Sequence, residues 1–373
     1  IGLGFAPMAP HLDPEDTELG KKLMDAETGT EAILKGIIMP NLRAMYDDMV
    51  RACEGADMLV SGEITYAVKS VVEKTGIKWV STSLTPISFF SRYDPPVPPQ
   101  APWAEHLRPL GPLFHGALLA LSKLRTRAWL GEYREFRRDL GLDPHHDPIF
   151  YGKNSELLHM AMFSRVLAAP QPDWPANTVQ TGFCFYDGQA DSGQMPAELA
   201  VFLDSGDPPI VFTLGSAAVL DPRDFFEQSI EAANRLGRRA VVLYGVFGER
   251  PKGLTDKIAG FDYAPYSRVF PRAACVVHQG GAGTTGQVLR AGVPHLIMPY
   301  GHDQPDNAAR CRRAGVAEVV RRDDYTAASA ARELERILGD EKYREAAVKA
   351  AKIVAAEGGS ATAADAIERV LVG

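Results

Sequence analysis

The stretch from 276 to 307, VVHQGGAGTTGQVLRAGVPHLIMPYGHDQPDN, concentrates residue types that hold anions. His278 precedes a small-residue turn, Gly280, Gly281, Ala282, Gly283, Thr284 and Thr285. Glycines leave backbone N–H groups unscreened. At a helix start those groups point at an anion and share the positive end of the helix dipole. An imidazole beside them adds a donor. Ser216 sits at a second turn of this kind, after the apolar run 209–214. Plain structural roles stand beside these readings: His278 as the end of a strand, Ser216 as a helix cap.

Such a cradle needs a strand to deliver it and a helix to follow. The run 273–277 has the length and β-branching of a buried strand. Val288, Leu289 and Val293 form the apolar stripe of the next helix, Gly292 closes it, and 295–298 reads as the following strand. The same alternation runs through the chain. Helices are expected over 15–25 and 31–53, the second with Ile33, Ile37, Ile38, Leu42, Met45, Met49 and Val50 near a 3.6 period. Strand 57–61, helix 64–74 and strand 77–82 follow, then a helical 113–140 and strands 157–163 and 179–182. After the polar, glycine-bearing segment 187–196 come strand 209–214, helix 222–236 and strand 239–244. Strand 316–320 and helices 327–338, 341–356 and 361–370 finish the chain. Strand–helix alternation implies parallel sheets covered by helices. The expected organisation is a first domain over 1–186, a linker over 187–208, and a second domain over 209–357. A final helix, 358–373, packs back on the first domain.

Composition is that of a globular chain: 46% hydrophobic and 23% charged over 373 residues. A net charge of −7 argues against a nucleic-acid partner. Cys53, Cys184, Cys275 and Cys311 are far apart and read as reduced, buried thiols of a cytoplasmic protein. No apolar run reaches the roughly 18 residues of a membrane span.

Three segments stand out from the alternation. The segment 85–112 interleaves eight prolines with Phe89, Phe90, Tyr93 and Trp103. It reads as a stiff surface loop or as an apolar lip for a greasy substrate. Arg125, Arg127, Arg134, Arg137 and Arg138 spread along 113–140, giving a solvated face or a peripheral membrane contact. Asp143-Pro144-His145-His146-Asp147 has metal-ligand types but no helical or strand spacing to aim them together, so no metal is expected.

Gly281 to Gly286 also spells GxGxxG, a dinucleotide fingerprint on paper. His278 at the strand mouth argues against it. So does the position of the nearest following acid, Asp303, in a proline-rich loop.

Taken together, the residues from 261 to 307 resemble the donor-binding signature of the GT-B glycosyltransferases, in the family that uses UDP-sugars on lipophilic small molecules. The matching pieces are Tyr263-Ala264-Pro265, the run from His278 to Thr285, Ala291 to Pro294, Pro299, and Asp303-Gln304. The run from Val211 to Ser216 resembles the strand and turn that open the family's C-terminal domain. The resemblance implies two Rossmann-like domains facing across a cleft, with inverting, metal-independent transfer of a sugar, glucose foremost, to a hydroxyl. No cofactor is implied beyond the UDP-sugar donor, and the chain lacks the DxD sequence of metal-dependent families. The glycine turn and the His278 imidazole would neutralise the diphosphate, each such donor being worth on the order of 10²–10³ in rate. Tyr263 would stack on the uracil and the Ala264 backbone would pair with the base edge. Asp303 and Gln304 would hold the sugar hydroxyls. The structural alternatives are a core Tyr263 and an Asp303-Gln304 helix cap. Plant relatives place a ribose-binding Glu where this chain has Gly286.

The family's general base lies in a loop after the first strand of its N-terminal domain. Here the segment 1–7 looks like the family's third strand, so the base is expected upstream of Ile1. Glu63, in the turn after Leu59-Val60, is the nearest slot for the acid that orients that base; alternatively it complements a helix dipole. Two other readings remain: an epimerase or lipid-intermediate transferase on the same fold, and a non-catalytic UDP-sugar-binding protein.

Overall fold

Where β-branched and aliphatic runs alternate with amphipathic helices, the chain buries its central strands on both faces between helical layers, while the edge strands stay partly exposed. A computed structural model describes residues 2–13, 16–186, 195–216 and 218–372, apart from the Thr17 side chain. In the first half, short helices α1 (Thr17–Leu23) and α2 (Gly29–Ile33) lead to α3 (Leu42–Ala52). Strand β1 (Met58–Ser61), helix α4 (Val68–Thr75) and strand β2 (Lys78–Ser83) follow. Helices α5 (Gly111–Thr126) and α6 (Gly131–Asp139) precede β3 (Leu158–Ala161) and β4 (Thr178–Gln180). The four strands form one parallel sheet in the order β1-β2-β3-β4.

The second half starts with α7 (Ala197–Asp204), β5 (Ile210–Thr213), α8 (Phe225–Arg235), β6 (Ala240–Leu243) and β7 (Ile258–Phe261). It continues with α9 (Tyr266–Val269), β8 (Cys275–His278), α10 (Ala282–Ala291), β9 (His295–Ile297), α11 (Gln304–Arg313) and β10 (Ala317–Val319). Helices α12 (Ala327–Gly339), α13 (Glu341–Ala356) and α14 (Ser360–Val372) complete it. Its six strands are parallel in the order β10-β9-β8-β5-β6-β7. That order reverses between β5 and β8, and in such sheets ligands bind at the carboxyl ends of the two strands flanking the reversal.

The halves share a core. Phe89, Phe163, Trp174 and Phe183 of the first pack with Leu289, Ala308, Cys311 and Val354 of the second. Ala363 and Ala366 of α14 return to cover Val80, Leu158 and Met160 of the first sheet.

Several expectations change. Residues 2–7 form no strand, and Leu3 and Phe5 are exposed: no neighbouring strand pairs with their backbone. The helix expected over 31–53 breaks into α2, a π turn (Leu34–Ile38), a 3-10 turn at Pro40, and α3. Proline removes a helical N–H and forces the adjustment. Helix α4 starts at Val68, four residues later than expected at Ile64. The helical 113–140 is interrupted by a 3-10 turn (Arg127–Leu130). Residues 187–194 of the linker lie outside the described residues. Within the remainder, α7 is a packed helix, with Leu199 and Leu203 in the second sheet's core. Cys53 and Cys184 are half-buried, whereas Cys275 and Cys311 are buried. Strand β7 has no counterpart in the sequence reading, because Gly260 interrupts its apolar run.

Candidate functional site

The cradle forms where β5 and β8 end. Gly280 has φ +89°, and a Cβ there would lie 3.0 Å from Ile297 and 3.1 Å from the Gln304 carbonyl, so the turn requires glycine. Gly281 is the N-cap of α10, with no capping side chain and no acid in the first turn. The first N–H groups of a helix have no intrahelical acceptor, so those of Ala282, Gly283 and Thr284 face outward. A Cβ on Gly283 would meet nothing within 4 Å. The β5 turn, with Ser216 exposed at its tip, lies against this one: a Cβ on Gly215 would come within 3.2 Å of Thr284 Oγ1.

His278 differs from expectation. It is fully buried, and burial holds its pKa down to about 3, so the ring is neutral. Its Nδ1 accepts the Gly280 N–H at 3.0 Å, and its Nε2 lies 3.1 Å from His295 Nδ1. As found, the ring is no cation and offers no free donor to a diphosphate. It folds the glycine turn, and the N–H groups that stay without an intrahelical acceptor are those at the start of α10.

Tyr263 and Ala264 lie on the connection from β7 to β8. Tyr263 is half exposed, not core, and Ala264 buries its methyl among Leu243, Val276 and Val288. Tyr266 fixes that connection: its hydroxyl bonds Thr213 at 2.8 Å and its ring stacks on Phe270 at 4.3 Å.

Asp303 is the N-cap of α11 but makes no capping bond. Asn307 Nδ2 holds its carboxylate at 2.8 Å and donates to the Gly280 carbonyl at 2.9 Å, joining the two turns. Burial first, then the charges of Glu63 and Asp306, raise the Asp303 pKa to about 6 against its hydrogen bonds. Gln304 is buried and its side-chain carbonyl accepts from Tyr300 N–H at 2.8 Å. His302, beside them at φ +56°, hydrogen-bonds the Leu23 carbonyl at 2.8 Å.

Glu63 faces this group from the end of β1. Leu84 N–H donates to Oε1 at 3.0 Å, the Ser88 hydroxyl donates to Oε2, and Lys153 Nζ lies 3.9 Å away. The helix-dipole role fails, since α4 starts five residues later with no acid in its first turn. Lys153 is buried, and burial pulls its pKa down against the charge of Glu63.

The proline-rich segment is no free surface loop, although Trp103 stays exposed. Val97 N–H donates to Asp306 at 2.9 Å. Asp306 accepts from Arg310 Nε at 2.7 Å, Arg310 pairs with Asp94, and Arg108 bonds Asp94 at 2.7 Å. This buried network straps the first half to α11. Prolines and aromatics were visible in the sequence; the pairing of Asp94 with Arg310 carried no local signal.

Gly286 packs against Phe183, whose ring would lie 3.0 Å from a Cβ, so this position is core and not a ribose contact. His146 bonds the Tyr133 hydroxyl at 2.8 Å, and Asp147 accepts Ile149 N–H at 2.9 Å. His146 is thus tied to α6 and Asp147 to its own turn. Among the described residues no His, Cys, Asp and Glu cluster can hold a metal.

A family model for the C-terminal domain of the erythromycin biosynthesis protein CIII-like proteins matches residues 246–369. The O-mycaminosyltylonolide 6-deoxyallosyltransferase of Streptomyces fradiae is 32% identical over 73% of this chain and 62% of its own length. The sterol 3-beta-glucosyltransferase of Arabidopsis thaliana is 33% identical over 58% of this chain, which spans 35% of that protein. Glycosyltransferase GtfC of Amycolatopsis orientalis is 30% identical over 86% of this chain and 75% of its length. The same fold occurs in the glycotransferase of kitacinnamycin (TM-score 0.69, 19% identity, 96% of this chain and 95% of that one). It also occurs in a Streptomyces sp. SF2575 glycosyltransferase solved with thymidine diphosphate (TM-score 0.61, 22% identity, 99% and 86%). The chain therefore belongs to the GT-B glycosyltransferases, the family of the erythromycin CIII-like proteins and the sterol glucosyltransferases.

Proposed function

We propose that this chain binds a UDP-sugar and serves its transfer, with inversion and without a metal, to a hydroxyl of a lipophilic small molecule. The uncapped N-terminus of α10 at the sheet's reversal point carries the reading. The diphosphate lies on the N–H groups of 282–284. Tyr263 and the Ala264 backbone take the base, and Asp303 and Gln304 take the sugar. As the glycosidic C–O bond breaks, charge grows on the diphosphate and these fixed dipoles stabilise it. Glu63, held by Leu84, Ser88 and Lys153, orients the base that takes the acceptor's proton. Relatives named for sterols and macrolides support the lipophilic acceptor, and the thymidine diphosphate complex of one fold neighbour sets the competing donor.

The test incubates the protein carrying this chain with UDP-glucose or dTDP-glucose and a panel of sterols, macrolides and polyphenols. A mass gain of one hexose, stronger with UDP-glucose and lost in Asp303→Ala, is expected. Conversion of the donor sugar with no acceptor product would favour the epimerase reading, and UDP binding without turnover the non-catalytic one.

A further inference from the structure

Helix α5 presents an outward face that no other element covers among the described residues. Leu113 is 88% exposed and Leu121 and Leu124 are each 62% exposed; Leu110, Phe114 and Leu118 are exposed as well. The opposite face is the packed one. His115 is buried, and Lys123 lies 3.8 Å over the Tyr151 ring. From 113 to 124 the outward residues are apolar apart from Ser122, over a helix about 24 Å long.

Along the chain, the charge of this stretch has one sign. Between Glu105 and Glu132 the chain contains no acid; its charged side chains are Arg108, Lys123, Arg125 and Arg127. This occurs in a protein of net charge −7. Arg108 is engaged with Asp94, whereas Arg125 and Arg127 are exposed at the end of the apolar stripe. Contiguous apolar surface rimmed by cations is the pattern of a helix lying in a lipid interface. A second copy fits poorly: antiparallel pairing would set Arg125 and Arg127 against Leu110 and Leu113, with no acid to answer them. Glu105 is already paired with Arg312 and Arg313.

We propose that α5 docks on an anionic lipid surface, apolar face inward and Arg125 and Arg127 on the headgroups. Docking does not depend on the transfer reaction. Where both hold, α5 lies beside the loop through Tyr151 and Lys153 that reaches Glu63, so a lipophilic acceptor enters from the bilayer.

The experiment is co-sedimentation of this chain with vesicles of equal parts phosphatidylcholine and phosphatidylglycerol, and with phosphatidylcholine alone. Binding to the mixed vesicles is expected, weakened by salt and by omission of phosphatidylglycerol. Leu113→Glu with Leu121→Glu abolishes it. Arg125→Ala and Arg127→Ala each weaken it about fivefold. All these positions are exposed, so thermal unfolding followed by circular dichroism stays unchanged. Absence of vesicle binding in the wild type overturns the proposal, as does undiminished binding by the leucine variants. A dimer in sedimentation velocity that the leucine variants dissolve also overturns it, because the face is then covered by a second copy.

Discussion

His278 illustrates how burial decides the chemistry of a side chain. In the sequence it stands before three glycines and reads as a cation for a diphosphate. In the fold its two nitrogens meet Gly280 and His295, away from water, and the ring stays neutral. His278→Ala leaves the Gly280 N–H without its acceptor. Buried groups left unpaired cost about 1–3 kcal/mol each, so the melting temperature falls by several degrees, alongside weaker UDP binding. A variant as stable as wild type would remove the turn-forming role. Asp303 gives a pH signature. Its folded pKa of about 6 lies above the ordinary carboxylate value, so its contribution to stability is full below that ordinary value and is lost as pH rises through 6. Sugar hydroxyls donate to the ionised form. UDP-sugar affinity therefore rises between about pH 5 and 7 and is flat above. Calorimetry on Asp303→Asn should show weaker binding without that slope; an unchanged slope assigns the titration elsewhere. Positions 263, 278, 303 and 304 stood out in the sequence because they lie in short-range motifs. Asn307 did not, since its two bonds join turns 27 residues apart.

At the scale of elements, glycine positions separate turn from packing. Gly280→Ala forces a side chain into a positive φ and against Ile297 and Gln304. UDP affinity should drop at least tenfold, because the turn moves. Gly286→Ala presses on Phe183 and should cost about 1–3 kcal/mol of stability, read by denaturant unfolding. UDP affinity near wild type in that variant would agree with position 286 being core. Most strands were readable from short apolar runs, since parallel strands are buried on both faces. Residues 2–7 failed because composition cannot supply a pairing partner. The helix over 31–53 failed at Pro40, a local signal outweighed by the apolar period around it.

For the whole molecule, the strap formed by Asp94, Arg108, Asp306 and Arg310 holds the two halves in one arrangement. Burial pulls the Asp94 pKa up, but Arg310 and Arg108 outweigh it and hold the carboxyl below its usual range. Arg310→Ala leaves Asp306 buried without its cation, a loss of about 3–5 kcal/mol. Scanning calorimetry should then resolve two transitions where the wild type gives one; a single unshifted transition would show that the apolar contact around Phe163 and Trp174 suffices alone. Asp306 and Arg310 stand one helical turn apart and Asp94 and Arg108 lie 14 residues apart, but the crossing that ties them together was not legible, because Asp94 and Arg310 are 216 residues apart. The central claim is that the N-terminus of α10 seats a nucleoside diphosphate. A Cβ on Gly283 would meet nothing within 4 Å, so Gly283→Leu adds bulk beside the first N–H groups of α10. UDP titration by calorimetry, with melting temperature as control, tests the claim most directly. The account predicts wild-type stability and loss of UDP binding in Gly283→Leu; a stable variant that binds UDP as wild type does would contradict it.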